Sequence, residues 1–67
     1  MSVIIEQLIQ RRKDLHLSQE DVARRMKTVQ STVARIECGA RSPKLETIER
    51  FADAVGCHLV LDQNKYE

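Results

Sequence analysis

Residues 3–15 place apolar side chains at Val3, Ile4, Ile5, Leu8, Ile9 and Leu15. The stripe Ile5–Leu8–Ile9–Arg12–Leu15 follows one face of a helix. Ser2 stands where it can cap the start. Arg12 falls on the apolar stripe, where a charge needs an acidic partner. Leu17 then leads into Ser-Gln-Glu-Asp. Ser18 is a good N-cap, and Asp21 three residues on makes a near capping box, with Asp in place of Glu. Val22, Ala23 and Met26 form the inner face of a short helix over 19–26, and Lys27 and Thr28 break it. A third short helix over 29–37 has Val29, Val33 and Ile36 at i, i+4 and i+7, which a helical rotation of ~100° per residue gathers into one inward sector. Gln30, Ser31, Ala34, Arg35 and Cys38 fall on the opposite side.

Cys-Gly-Ala-Arg-Ser over 38–42 reads as a turn, with Gly39 suited to the left-handed position after a helix. Ser42-Pro43 predicts a helix start, Ser at the cap and Pro in the first turn. Leu45, Ile48, Phe51, Ala52 and Val55 carry that fourth helix to Gly56. After it, Leu59 and Leu61 alternate with His58, Val60 and Asp62, the period of a short strand. A lone strand has no partner within the chain, so Leu59, Val60 and Leu61 are expected to pair with the same strand of a second copy about a two-fold axis. The expected fold class is mainly α: four compact helices and one short C-terminal strand. The expected organisation is a domain over 1–57, a dimerisation strand over 58–62 and a polar tail over 63–67.

With 67 residues the chain suits one domain of marginal core size. Cys38 and Cys57 lack metal-site spacing, and His16 and His58 have no ligand-like neighbours, so neither a metal nor another cofactor is expected. Reduced thiols fit better than a disulfide. No apolar run nears ~18 residues, and the order of charges near the N-terminus is wrong for a secretory leader, so a cytoplasmic protein is expected. Net charge is +1, but its distribution is uneven. Residues 11–44 hold nine Lys/Arg against four Asp/Glu, and the remainder hold two against six. Such polarity suits a molecule with one anion-facing side. No nucleophile pattern or glycine-rich phosphate loop is present, so an enzyme is not expected.

Two short helices joined by a very tight turn have the form of a helix-turn-helix. The outward face of the second offers an amide, a hydroxyl and a guanidinium. These suit adenine N6/N7, several base edges, and guanine O6/N7 respectively. The run LSQEDVARRMKTVQSTVARIECGARSP resembles the helix-turn-helix of lambdoid phage repressors and of Cro/cI-type (XRE-family) regulators. The resemblance covers about residues 3–57 and implies a lambda-repressor-like domain. It implies base-reading roles for Gln30, Ser31 and Arg35, and phosphate contacts for Gln19, Arg41, Ser42 and Lys44. Thr32, on the flank, is expected at a phosphate or a thymine methyl. Arg12 and Glu37 match a buried ion pair linking the first and third helices.

The sequence departs from the family pattern at three places. Lys27 and His16 stand where glycines are common. Val29 stands where a Ser or Thr usually caps the third helix, which leaves Thr28 to cap one residue early. The C-terminal strand resembles the ending of antitoxins from type II toxin–antitoxin pairs. The expected function is a dimeric, sequence-specific DNA-binding regulator of transcription, acting as a repressor on double-stranded DNA. The alternative is an antitoxin whose main partner is a toxin protein, with DNA binding serving autoregulation. The absence of a long tail weighs against that alternative.

Overall fold

The computed structural model describes residues 3–39 and 42–57. Four helices follow one another: α1 (Val3–Asp14), α2 (Gln19–Arg25), α3 (Gln30–Cys38) and α4 (Leu45–Ala54). Among the described residues there is no strand. The expected strand of Leu59, Val60 and Leu61, the Ser2 cap and Arg41 all lie outside the described residues.

Each helix contributes one apolar face to a single core. Ile5 and Leu8 come from α1, Val22 and Ala23 from α2, Val33 and Ile36 from α3, and Phe51, Ala52 and Ala54 from α4. Met26 and Val55, just past two helix ends, close it. Phe51, Val22, Val33 and Val55 are fully buried. Removing such side chains from water stabilises by roughly 1.5–3 kcal/mol each. Ile9, Leu17, Ile48 and Cys57 pack around the edge. Besides Val29, which is 63% exposed, two members of the expected stripes do not reach the core: Leu15 is 40% exposed and Leu45 50% exposed. Both sit at helix ends, where the chain has begun to turn away from the face they would share.

Three helices end by the same device. After α1, Leu17 N–H donates to Arg12 O at 3.0 Å and His16 N–H to Lys13 O at 2.9 Å. After α2, Thr28 N–H donates to Ala23 O at 2.9 Å and Lys27 N–H to Arg24 O at 3.1 Å. After α4, Cys57 N–H donates to Ala52 O at 2.8 Å and Gly56 N–H to Asp53 O at 3.1 Å. This crossed pair is the Schellman motif, which requires a left-handed residue at its centre. His16 and Lys27 take that conformation with φ of 58° each, and Gly56 with φ of 73°. Two of the three motifs therefore hold a side chain where glycine is unstrained, at roughly 1–2 kcal/mol each. Gly39, at φ 74°, serves the end of α3.

The starts divide differently. The capping box of α2 is complete: Asp21 N–H donates to Ser18 Oγ at 3.0 Å, and Ser18 N–H to Asp21 Oδ2 at 2.9 Å. The helix expected from Ser42-Pro43 instead begins at Leu45, with Lys44 as its N-cap and no side-chain cap bond. Ser42 and Pro43 belong to the loop. The cap of α3 is Val29, again without a side-chain bond, so Thr28 does not cap that helix early.

Candidate nucleic-acid interface

α2 packs more extensively on α3 than any other pair of helices. The link between them, residues 26–29, is tight because the Schellman turn at Lys27 reverses the chain at once. Arg50 secures that turn from α4: its Nη2 donates to Met26 O at 2.6 Å. Arg25 Nη1 returns the favour at the far end of α4, donating to Ala54 O at 2.9 Å, and Arg11 Nε reaches Val55 O at 3.3 Å. Carbonyls left over at helix ends thus find guanidinium donors.

The ion pair expected from the misplaced charge on α1 joins that helix to the last turn of α3. Arg12 Nε donates to Glu37 Oε2 at 2.7 Å and Arg12 Nη2 to Glu37 Oε1 at 2.9 Å. Its Nη1 donates to Leu17 O at 2.8 Å. The two side chains are 12% and 9% exposed, so the pair is close to fully desolvated. A bidentate guanidinium–carboxylate fork of this kind fixes orientation as well as distance.

Glu37 also accepts from Gln19 Nε2 at 3.1 Å, and Gln19 Oε1 accepts from Gln30 Nε2 at 2.6 Å. The order of donors follows from the acid. A carboxylate only accepts, so Gln19 must turn its NH₂ towards Glu37 and its carbonyl towards Gln30. Gln30 must then donate inward. Its Oε1 and second amide hydrogen have no partner among the described residues. A polar chain therefore runs from buried Glu37 to exposed Gln30, the first residue of α3. The sequence assigned Gln19 to a phosphate alone; its second role needs residues 11 and 18 positions away, which no local pattern reveals.

Ser31 and Arg35 are exposed beside Gln30, and Ala34 and Thr32 are half-buried. The Arg35 guanidinium has no hydrogen-bond partner among the described residues. Val33, Ile36 and Glu37 form the inward face. Val29 does not join them. It stands in extended backbone at φ −105°, ψ 155°, outside the helix, and is 63% exposed. The helical rotation that placed it inward does not apply to a cap residue.

Further along α3, an open cleft of about 410 Å³ separates the helix from the loop leading to α4. Its walls are Thr32, Arg35 and Ile36 on one side and Ser42, Pro43, Lys44 and Thr47 on the other. Among the described residues, two cations and three hydroxyls line it, and no carboxylate does. The sequence singled out Thr32, Arg35, Ser42 and Lys44 separately; Thr47, hidden in the first turn of α4, was missed. Cys38 and Cys57 are free thiols. Among the described residues no cluster of His, Cys, Asp or Glu is arranged to hold a metal, and no helix is long and apolar enough to cross a membrane.

A tight two-helix unit with an outward polar edge and a cationic flank defines a DNA-binding helix-turn-helix domain of the XRE type. The chain belongs to the helix-turn-helix family, which it matches over residues 8–61. This is a family of DNA-binding regulators and not of enzymes. The chain is 41% identical over 58 residues to Antitoxin HigA1 of Mycobacterium tuberculosis, in both strain CDC 1551 / Oshkosh and strain ATCC 25618 / H37Rv. That likeness covers 87% of this chain and 39% of each relative, so the chain spans about two fifths of their length. No solved structure matches it.

Proposed function

We propose that the protein is a sequence-specific DNA-binding regulator of transcription, acting as a repressor. α3 lies in the major groove, and Gln30, Ser31 and Arg35 contact base edges. Gln19, Thr32, Arg41, Ser42 and Lys44 contact phosphates and set the register. Two copies, joined through Leu59, Val60 and Leu61, bind a palindromic operator whose half-sites lie one helical turn, ~34 Å, apart. The observation that carries this reading is the exposed edge of α3. Gln30 and Arg35 are exposed, and the Gln30 Oε1 and the Arg35 guanidinium have no partner among the described residues, beside a cleft whose described lining holds cations and hydroxyls but no acid.

Selection from a random duplex pool tests it. A recovered site with two-fold symmetry and affinity that falls steeply with salt supports the reading. Failure to enrich any sequence, with no duplex bound even at ~50 mM salt, would sink it.

The likeness to Antitoxin HigA1 favours a second role, neutralisation of a toxin protein, with DNA binding serving autoregulation. Purification from the native host separates the two. A stoichiometric protein that co-purifies supports the antitoxin role, and the protein's recovery alone speaks against it.

A further inference from the structure

We propose that Val29 reads a thymine 5-methyl group in the major groove and so adds a position to the specificity set by Gln30, Ser31 and Arg35. The inference rests on the DNA-binding reading. Val29 is doubly unfavourable for the fold. It is the N-cap of α3 with no side-chain cap bond, at a position where Ser, Thr, Asp or Asn would satisfy a free backbone N–H. It is also 63% exposed, so its methyl groups gain little from the core. Local rules broken together at one position point to a functional role.

Its surroundings say which role. Among the described residues, the other large exposed apolar side chains, Val3, Ile4, Leu15 and Leu45, belong to α1 or its end and to the start of α4. Val29 alone of this group adjoins the outward edge of α3, next in sequence to the exposed Gln30 and Ser31. The extended backbone at Val29 takes its side chain out of the inward sector. Among base edges in the major groove, thymine offers an apolar group, its C5 methyl, and the others offer donors and acceptors. Val29 and Gln30 are consecutive, with Cα atoms about 3.8 Å apart, so their side chains reach neighbouring parts of the groove. The thymine read by Val29 therefore neighbours the base pair read by Gln30.

The test replaces each thymine of the selected duplex, one at a time, by deoxyuridine, which lacks only the methyl group. Wild-type protein is expected to lose about four-fold in affinity at one thymine per half-site, the value of one buried methyl-sized group. That thymine adjoins the base pair at which Gln30→Ala loses discrimination. Val29→Ser should bind the thymine and deoxyuridine duplexes equally at that position. Val29→Ser should also unfold at a temperature no lower than wild type, since it supplies the missing cap. A bound duplex with no methyl-sensitive thymine, or sensitivity that survives in Val29→Ser, overturns the proposal and leaves the DNA-binding reading standing. Earlier unfolding of Val29→Ser would place the valine in the fold and also overturn it. Absence of any bound duplex sinks both.

Discussion

Gln30 donates its side-chain amide to Gln19 Oε1 at 2.6 Å, so the first residue of α3 is held by the first residue of α2. Gln19 is held in turn by Glu37 at 3.1 Å. The exposed amide is thereby oriented before any ligand arrives, which lowers the entropy cost of binding. Residues joined in one hydrogen-bond network respond non-additively to mutation. Gln19→Ala and Gln30→Ala, measured singly and together on the selected operator, should show a coupling of about 0.5–3 kcal/mol. Simple additivity would mean that the two amides act independently.

Arg12 and Glu37 should dominate stability. Removing one partner of a buried pair leaves an uncompensated charge and costs roughly 3–5 kcal/mol. At ~0.05–0.15 kcal/mol per residue, a domain of this size has only about 3–10 kcal/mol in total. Glu37→Ala should therefore be largely unfolded near 37 °C by circular dichroism. Arg12→Met/Glu37→Leu, which removes both charges, should recover much of the loss. A Glu37→Ala variant with wild-type urea midpoint would refute the desolvated-pair account.

Arg35 and Lys44 line the same cleft but should behave differently on DNA. Arg35→Ala is expected to cost ~1–3 kcal/mol on the selected operator and to relax one base position. Lys44→Ala should weaken operator and scrambled duplex alike and reduce the salt slope by about one. Fluorescence anisotropy across ~50–200 mM salt reads both. Equal losses on both duplexes for Arg35→Ala would remove it from base reading.

The left-handed residues predict opposite signs for opposite exchanges. Lys27, with φ 58°, is strained, and Lys27→Gly should stabilise by up to about 1 kcal/mol, the relief of strain being offset in part by the flexibility of glycine. Gly56→Ala should destabilise by ~1–2 kcal/mol, through the backbone alone, because an added Cβ at Gly56 meets nothing within 4 Å. Calorimetry should show shifts of several degrees, up for the first and down for the second. A fall in melting temperature for Lys27→Gly would show that the lysine side chain contributes more than its conformation costs.

Asp21 makes stability depend on acid pH. The Ser18 backbone N–H that donates to its carboxylate holds its pKa below the ordinary 3.8, with the Ser18 hydroxyl and the charges of Arg24 and Arg25 acting in the same direction. The unfolded chain thus binds this proton at higher pH than the folded one. The contribution is present above pH 3.8 and is lost as pH falls through the lower folded value. Urea midpoints of wild type and Asp21→Asn should differ at neutral pH and converge below that value. A gap unchanged down to pH 2 would show that the carboxylate charge is not its source.

Periodicity and caps were enough to locate four helices, to complete the Ser18–Asp21 box and to mark Arg12 as a charge that needed an acid. These features depend on residues a few positions apart, and the backbone repeats them wherever the pattern recurs. The exposed polar edge of α3 was legible for the same reason: Gln30, Ser31 and Arg35 are placed by rotation about one short axis. Only the tertiary structure decided the rest. It set Val29 outside the helix, moved the start of α4 past Ser42 and Pro43, placed Thr47 opposite Arg35, and drew Gln19 between Glu37 and Gln30. Those outcomes depend on where the core pulls each end of the chain and on bonds spanning 11 to 44 residues. Local sequence carries no record of such distances; the burial of Phe51, Val22, Val33 and Val55 sets them.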